Sequence, residues 1–438
     1  MAASSRFRVA ISGGGIGGLA LAAFICYHSN DIAVDIYETK NEISSIGAGI
    51  AIWKRTWQTL QDIGLEDEVI KRNLPLPKEG EAIGPIFRKA DQLTAGIDFH
   101  NHMMPYGPLA IPRPILLDML KSRLSSLCAI YTSTHVTSYE EASEGGILIK
   151  MKDGSTQTAD ILIGCDGVHS AIRATLFKNL AKVDTSQGYE KFCEPKWSGS
   201  IAYRGVADRN KLRQKNPKNP ALDQPRIWCG KSKASTHVVT HPFGDIVNLV
   251  CFYNEENGFG KLYTDPWVDN VPVDQVVGHY EDWEPALVEV VSMIQAPTRW
   301  AIHVVEPLPV SVSGRVGLLG DAAHAMTPHQ GVGGGQAIED AHILGRLLAH
   351  NKTSRANLSK VLEIYQEVRL PLAKTAAERS RSNGLLYDFI HPDFPLSSTA
   401  TVEDLMPIGQ AVGETFAWLG KGGCDDDWKS AEALISII

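Results

Sequence analysis

The sequence has no uninterrupted apolar stretch of about 18 residues or more, so no transmembrane helix is expected. It also has no C-x-x-C pair. Its seven cysteines (Cys26, Cys128, Cys165, Cys193, Cys229, Cys251 and Cys424) are scattered and odd in number. They form no disulfide framework and predict reduced thiols in an intracellular, cytoplasmic protein. A basic excess is missing too: the formal net charge is -8, which argues against a nucleic-acid surface. Internal repeats, low-complexity segments and clusters with metal-ligand spacing are absent. What remains is a 438-residue chain of ordinary globular composition, too long for one small core, which predicts two or three lobes.

The most informative stretch runs from Arg6 to Glu38. Phe7 to Ser12 reads as a buried parallel strand, Ile16 to about Tyr27 as an apolar helix, and Ile32 to Tyr37 as a second strand ending on Glu38. Gly13, Gly15 and Gly18 form G-x-G-x-x-G between the first strand and the helix. This is the dinucleotide fingerprint. Gly13 permits the tight turn, Gly15 lets a pyrophosphate approach the backbone, and Gly18 lets the helix pack closely on the sheet. The helix N-terminus offers unpaired N–H groups to phosphate, and Glu38 can accept from ribose hydroxyls. The glycines and the βαβ setting distinguish this run from a signal peptide.

Further along, Ile46 to Ile52 is a glycine-bearing apolar run expected to pass close to a ligand or a strand, and Trp57 to Lys71 has helical spacing. His100 and His102 sit at strand spacing without a third ligand, so solvated or hydrogen-bonded histidines are expected rather than a metal site. A strand from Ala159 to Ile163 runs into Gly164-Cys165-Asp166-Gly167. Short β-prone runs dominate from Gly188 to about Pro297, predicting a separate sheet-based lobe. Val316 to Leu319 returns to a core strand, followed by Gly320-Asp321, a glycine-rich loop to Gly335, and a helix. The chain then reads as helical to Tyr387, then irregular, with a short terminal helix.

Gly13-x-Gly15-x-x-Gly18, Gly164-Cys165-Asp166-Gly167 and Gly320-Asp321 occur in that order, and together they resemble the single-component flavoprotein aromatic hydroxylases. The resemblance covers nearly the whole chain. Trp197 to Gly205, Gly320 to Ala341 and Ser380 to Tyr387 look most like the salicylate hydroxylase branch. His237 to Pro242 is similar to a substrate-lobe strand of that branch, with His241 where the family usually has tyrosine. The resemblance implies an α/β fold: a Rossmann-like FAD-binding domain of the para-hydroxybenzoate hydroxylase kind, an inserted β-sheet substrate lobe and a C-terminal helical segment. The expected division is residues 1–73, 109–187 and 298–380 for FAD binding, 74–108 as an excursion into the substrate lobe, 188–297 as the substrate sheet, and 381–438 as a helical and irregular segment.

The resemblance also implies FAD as cofactor, NADH or NADPH as co-substrate, and O2. Reduced flavin would form a C4a-hydroperoxide whose distal oxygen passes to an electron-rich ring. FAD contacts are implied for Gly13, Gly15, Gly18, Glu38, Gly49, Arg113, Val136, Asp166, Asp321, Pro328, Gly331, Gly333 and Gly334. Of these, Arg113 matches an arginine that contacts the FAD phosphates. A glycine-rich loop feeding a helix puts N–H groups beside the flavin. His324 is expected to be structural rather than catalytic, and Trp53 and Lys54 have no assigned role. For the substrate, a phenol reacts best as phenolate, so a base or cation beside the ring would help. His237 and His241, four apart on one strand face, could deprotonate the phenol or hold a carboxylate, or be ordinary sheet histidines. Arg204 could pair with a carboxylate or phenolate, or sit in a surface salt bridge.

The leading expectation is hydroxylation of a phenolic acid, with salicylate-type ipso-hydroxylation and loss of CO2 as the best single case. Another hydroxybenzoate, a pyridine acid or a dearomatised phenol is the alternative. An FAD oxidase or dehydrogenase is a second class, and a non-enzymatic binding protein of this fold is a third, which the intact motifs argue against. No partner besides small molecules is expected, neither nucleic acid nor membrane. A homodimer is compatible with the resemblance.

Overall fold

The computed structural model describes residues 5–43, 49–142, 145–231, 236–397 and 400–438. Of the expected run Ile46 to Ile52, Ile46, Gly47 and Ala48 lie outside the described residues.

The N-terminal strand Phe7–Ser12 is at the centre of a six-stranded sheet. The order is Val312–Ser313, Val316–Leu318, Ile161–Gly164, Phe7–Ser12, Ile32–Tyr37, Cys128–Tyr131. All neighbours run parallel except the Val312–Ser313 edge strand. Strands covered on both faces must be apolar throughout. Accordingly, every residue of Ile32–Tyr37 and of Ile161–Gly164 is buried, as is every residue of Phe7–Ser12 except Arg8. The helix Ile16–His28 is apolar on nearly all sides because it is enclosed between this sheet and the helix Gly333–Ala349.

An eight-stranded sheet forms the second layer, in the order Val268–Asn270, Gln295–Val304, Lys196–Asp208, Ile246–Asn254, Val238–Phe243, Arg226–Cys229, Ala82–Lys89, Ile97–Met104. Its pairs are antiparallel except Arg226–Cys229 with Ala82–Lys89. One face buries Trp228 against Tyr280 and Trp283, which come from the segment joining two short helices, Val273–Val277 and Pro285–Val291. The other face carries Phe87, Ile227 and Val239 toward the 30-residue helix Leu358–Tyr387 and the helix Val402–Phe416.

Three expectations are corrected in detail. Trp57 to Lys71 is two helices, Lys54–Asp62 and Leu65–Lys71, because Gly64 takes a left-handed conformation (φ 69°) that ends the first. His102 is buried, not solvated, and the Nε2 atoms of His100 and His102 have no hydrogen-bond partner among the described residues. The cause is the helix Val402–Phe416, which packs Gly409 against His100 and Phe416 against His102. The stretch expected to be irregular after Tyr387 contains the 15-residue helix Val402–Phe416 ahead of the expected terminal helix, Cys424–Ile435.

That last helix is held by charge. Arg369 is 2% exposed and reaches Asp340 (2.8 Å), Glu339 (3.4 Å), Asp427 (3.5 Å) and Gln336 (2.9 Å). Arg55 joins Glu339 and Asp427 from the first turn of the helix Lys54–Asp62. Each buried charge therefore has a partner, which is the condition for burying it.

Candidate active site

The three glycine–acid motifs meet in space because their strands are in register. Ser12 pairs with Gly164, and Gly164 pairs with Leu318, all in parallel strands. The turns that follow, Gly13–Gly15, Cys165–Gly167 and Leu319–Asp321, therefore emerge side by side at the carboxyl edge of the sheet. This is where open α/β sheets bind ligands. Gly13 has φ 106°, and a Cβ there would lie 2.3 Å from the Cys165 carbonyl oxygen. A Cβ on Gly18 would lie 2.0 Å from the Gly13 oxygen, whereas a Cβ on Gly15 would meet nothing within 4 Å. Gly15 caps the helix Ile16–His28 without a side-chain hydrogen bond, so its first N–H groups face open space. The donor set and the open crease fit a dinucleotide diphosphate.

Of the other expected cofactor residues, Glu38 reaches Gly14 and Gly334 lies against Ile16 at this crease. Glu38 accepts from the Gly14 and Lys40 N–H groups at 2.8 and 2.9 Å. Thr134 N donates to the Glu38 carbonyl at 2.9 Å, which brings the segment leading into Val136 alongside. The Val136 side chain itself is core. Gly49 pairs with Pro112, next to Arg113 at the start of the helix Arg113–Lys121, and the Arg113 Nε has no partner among the described residues. Burial raises the Asp321 carboxyl above its usual range, while His324 and Arg113 pull it back. Asp166 caps the helix Ala171–Val183 through Ser170 Oγ and Ile172 N. Pro328 opens a turn closed by the Gly331 N–H at 3.0 Å, and Gly333 and Gly334 begin the helix Gly333–Ala349 without a side-chain cap. His324 is buried, with Nε2 2.6 Å from Asp340 Oδ2. Burial would lower the His324 pKa, but Asp340 outweighs it and the pKa rises. Trp53 is buried against Phe416, and Lys54 pairs with Glu79 at 2.7 Å.

Beside the crease, the long helix and the eight-stranded sheet enclose a cavity of about 510 Å³. Its wall is largely apolar, with Val305, Leu308, Met326, Leu370, Leu385 and Ile390. Polar groups enter at a few points. His329 and Asp388 line it, as do Lys374 and Arg381, two helical turns apart on Leu358–Tyr387. Glu255 and Glu306 also line it, each held by a lysine: Lys261 at 2.6 Å and Lys196 at 2.7 Å.

Behind that wall is a buried polar cluster. His237 is 0% exposed and its Nδ1 is 2.7 Å from Asp388 Oδ1. Asn254 donates to the other Asp388 oxygen. The His237 ring stacks on Phe252 (4.3 Å between centroids) and lies 5.1 Å from the His329 ring. Neither His237 Nε2 nor His329 Nδ1 has a hydrogen-bond partner among the described residues. Burial pushes the His237 pKa down to about 3 and raises Asp388 well above the carboxylate range.

The structure separates the residues the sequence grouped for the substrate. His237 and His241 do share a face, but four residues at about 3.3 Å each put them about 13 Å apart. His237 is under the long helix, whereas His241 is exposed near the hairpin turn that joins Val238–Phe243 to Ile246–Asn254. Arg204 does not line the cavity and makes no ion pair among the described residues. Its guanidinium lies over Trp300 at 5.2 Å, and burial lowers its pKa. The surface salt bridge that was the alternative for Arg204 is therefore not formed among the described residues. Sequence reasoning missed Asp388, His329, Lys374 and Arg381. The Ser380 to Tyr387 string stops one residue short of Asp388, and nothing local connects Asp388 to His237.

Comparison with known proteins agrees with this geometry. A family model described as an FAD binding domain matches residues 6–188 and 303–380. A salicylate hydroxylase of Pseudomonas putida is 31% identical, with 96% of this chain and 93% of that protein covered. A 6-methylsalicylate 1-monooxygenase of Aspergillus terreus is 31% identical over 89% of this chain and 85% of its own. Among solved structures, a salicylate hydroxylase substrate complex superposes with a TM-score of 0.80 at 28% identity, covering 97% of this chain and 98% of that one.

Proposed function

Because this chain belongs to the FAD-binding flavoprotein aromatic monooxygenases, we propose that it hydroxylates a phenolic aromatic acid at the expense of NADH or NADPH and O2. Salicylate-type ipso-hydroxylation is the best single case. The balance would be salicylate, NADH, O2 and two protons to catechol, CO2, NAD+ and water. The observation that carries this reading is the buried His237–Asp388 pair at the wall of a largely apolar cavity, next to the dinucleotide crease.

Gly13, Gly15, Gly18 and the start of the helix Ile16–His28 would hold the FAD diphosphate, with Arg113 adding positive charge. Glu38 would take ribose hydroxyls, Gly49 and Val136 would lie along the nucleotide, and Asp166 and Asp321 would meet hydroxyls rather than phosphates. Gly333 and Gly334 would present backbone N–H groups to the flavin from the uncapped start of their helix, and the turn from Pro328 to Gly331 would shape the loop beside it. Bound FAD supplies the hydride acceptance and oxygen transfer that no side chain can perform.

The protein's own part is to orient the ring, exclude water and set the proton. His237 would take the phenol proton, since a ring carrying O⁻ is the better nucleophile. Apolar walls keep water from intercepting the reaction. The substrate carboxylate would meet Lys374 and Arg381, the cations on the cavity wall, in place of the Arg204 that sequence suggested. The similarity to a salicylate hydroxylase and a 6-methylsalicylate 1-monooxygenase supports an ortho-hydroxybenzoate substrate.

The test is NADH and NADPH oxidation by FAD-loaded protein with salicylate, following catechol, CO2 and H2O2 together. Catechol and CO2 matching the nicotinamide consumed are expected. Rapid oxidation yielding only H2O2 would make salicylate a trigger rather than the substrate. No stimulation of either nicotinamide would sink the salicylate reading.

A further inference from the structure

We propose that Asp388, held by Asn254, is the positioning residue that makes His237 an effective base, and that the two act as one proton acceptor at the cavity wall, which Asp388 lines. This rests on the reading of His237 given above. The geometry is a relay of fixed partners. Asn254 holds one carboxylate oxygen, the other meets His237 Nδ1 at 2.7 Å, and Nε2 is left buried and unpartnered. Phe252 below and Tyr387 at the edge, with ring centroids at 4.3 and 5.3 Å, prevent the imidazole from turning to another partner. The last turn of the long helix thus links the substrate sheet to the cavity wall across 151 residues of chain.

Burial explains why a pair is needed. A lone imidazole in this position is a weak base, since its pKa is pushed down to about 3. A carboxylate there binds a proton readily, because burial raises its pKa. The acceptor form of the pair is the one with carboxylate and neutral imidazole, which carries one negative charge. The phenol O–H breaks, its proton bonds to Nε2, and the Nδ1 proton can pass to Asp388. The substrate becomes phenolate, the pair becomes neutral overall, and no charge is left uncompensated on the protein side. Of the groups around the pair, burial pushes His329 down and Tyr387, Tyr280 and Cys229 up. The cavity wall also carries His324, Glu255, Glu306, Glu378, Lys374 and Arg381, so the variants below separate the acid limb of the pair from theirs.

The experiment compares wild type, Asp388→Asn and His237→Gln as FAD-loaded proteins. The probes are salicylate and its fluoro- and nitro-substituted analogues, whose phenols are progressively more acidic. FAD affinity is measured first and should be unchanged in all three. With salicylate, Asp388→Asn should lower kcat about 100-fold, within the usual range for general-base catalysis, with little change in KM. The loss should shrink as the phenol becomes more acidic, because an analogue that arrives as phenolate needs no base. The acid limb of the wild-type profile should move to lower pH in Asp388→Asn. The milder Asn254→Leu, which removes a hydrogen bond to the carboxylate, should move it to higher pH and serves if Asp388→Asn does not fold. An equal loss for every phenol would make Asp388 merely structural and overturn the proposal. A defect in His237→Gln with none in Asp388→Asn would overturn it while the base reading stands. No dependence on phenol acidity in either variant, or no phenol binding by wild type, would overturn both.

Discussion

Alanine at Gly15 should leave the fold intact and impair cofactor binding, whereas alanine at Gly13 or Gly18 should damage the fold itself. The Cβ positions decide this. At Gly15 an added methyl meets no atom within 4 Å and the backbone is already extended (φ -75°), so stability should change by less than about 0.5 kcal/mol. At Gly18 the methyl would lie 2.0 Å from the Gly13 carbonyl oxygen, a backbone atom that cannot step aside. Overpacking of this kind costs about 1–3 kcal/mol or more. Gly13 adds left-handed strain of about 1–2 kcal/mol to a 2.3 Å approach to the Cys165 oxygen. If the diphosphate lies over Gly15, the methyl takes its place against the helix N-terminus. Losing one charged hydrogen bond of about 1.5–3 kcal/mol weakens FAD binding about 10–100-fold. The assay is thermal unfolding of each apoprotein, followed by FAD titration through the quenching of its fluorescence. Unchanged FAD affinity in Gly15→Ala would refute the placement of the diphosphate. An apoprotein melting point as low as that of Gly18→Ala would refute the claim of open space.

Three further outcomes are expected. Arg369→Met removes one cation from Asp340, Glu339 and Asp427 and should destabilise the protein by about 3–5 kcal/mol; urea unfolding measures it, and a loss below about 1 kcal/mol would mean that Arg55 suffices alone. Asp340 is held down to about 2 by His324 and Arg369 against its own burial, so its stabilising share is complete above its unfolded pKa of about 3.9 and disappears as pH falls through about 2. Asp340→Asn should flatten that part of the acid-unfolding curve, and an unaltered curve would count against the pairing. The double change Lys374→Ala and Arg381→Ala should raise KM for a carboxylated phenol about tenfold with kcat little changed, and should leave the KM of the matching phenol without a carboxylate unaltered. Equal effects on both ligands would remove these cations from substrate recognition.

Much of the nucleotide layer was legible because its signals are local. A continuous apolar run, a glycine turn and an apolar helix are each set within a dozen residues, and Phe7–Ser12, Ile16–His28 and Ile32–Tyr37 follow that reading closely. Gly64 shows where local reading failed: the apolar spacing passes smoothly over it, but its left-handed backbone splits the helix. The substrate side was less legible, since its contacts are not local. His237 could be singled out by its type and strand. The partner that defines it, Asp388, comes from the end of a helix on another layer, and no spacing rule links the two. His241 was grouped with His237 by periodicity, which is blind to where a strand leaves the core. Arg204 was read by charge alone, while among the described residues it lies over an indole and pairs with no acid.

The strand order of the six-stranded sheet has a consequence for synthesis. Phe7–Ser12 pairs on one edge with Ile32–Tyr37, which emerges from the ribosome soon after it. Its other edge belongs to Ile161–Gly164, about 150 residues later, and at roughly 5–20 residues per second that neighbour arrives about 8–30 seconds after it. During that interval the nascent chain displays an unsatisfied edge of FRVAIS, apolar and β-prone. Slower translation lengthens the exposure, so yield in a heterologous host should depend on codon usage between residues 38 and 160 and on a chaperone that shields this edge.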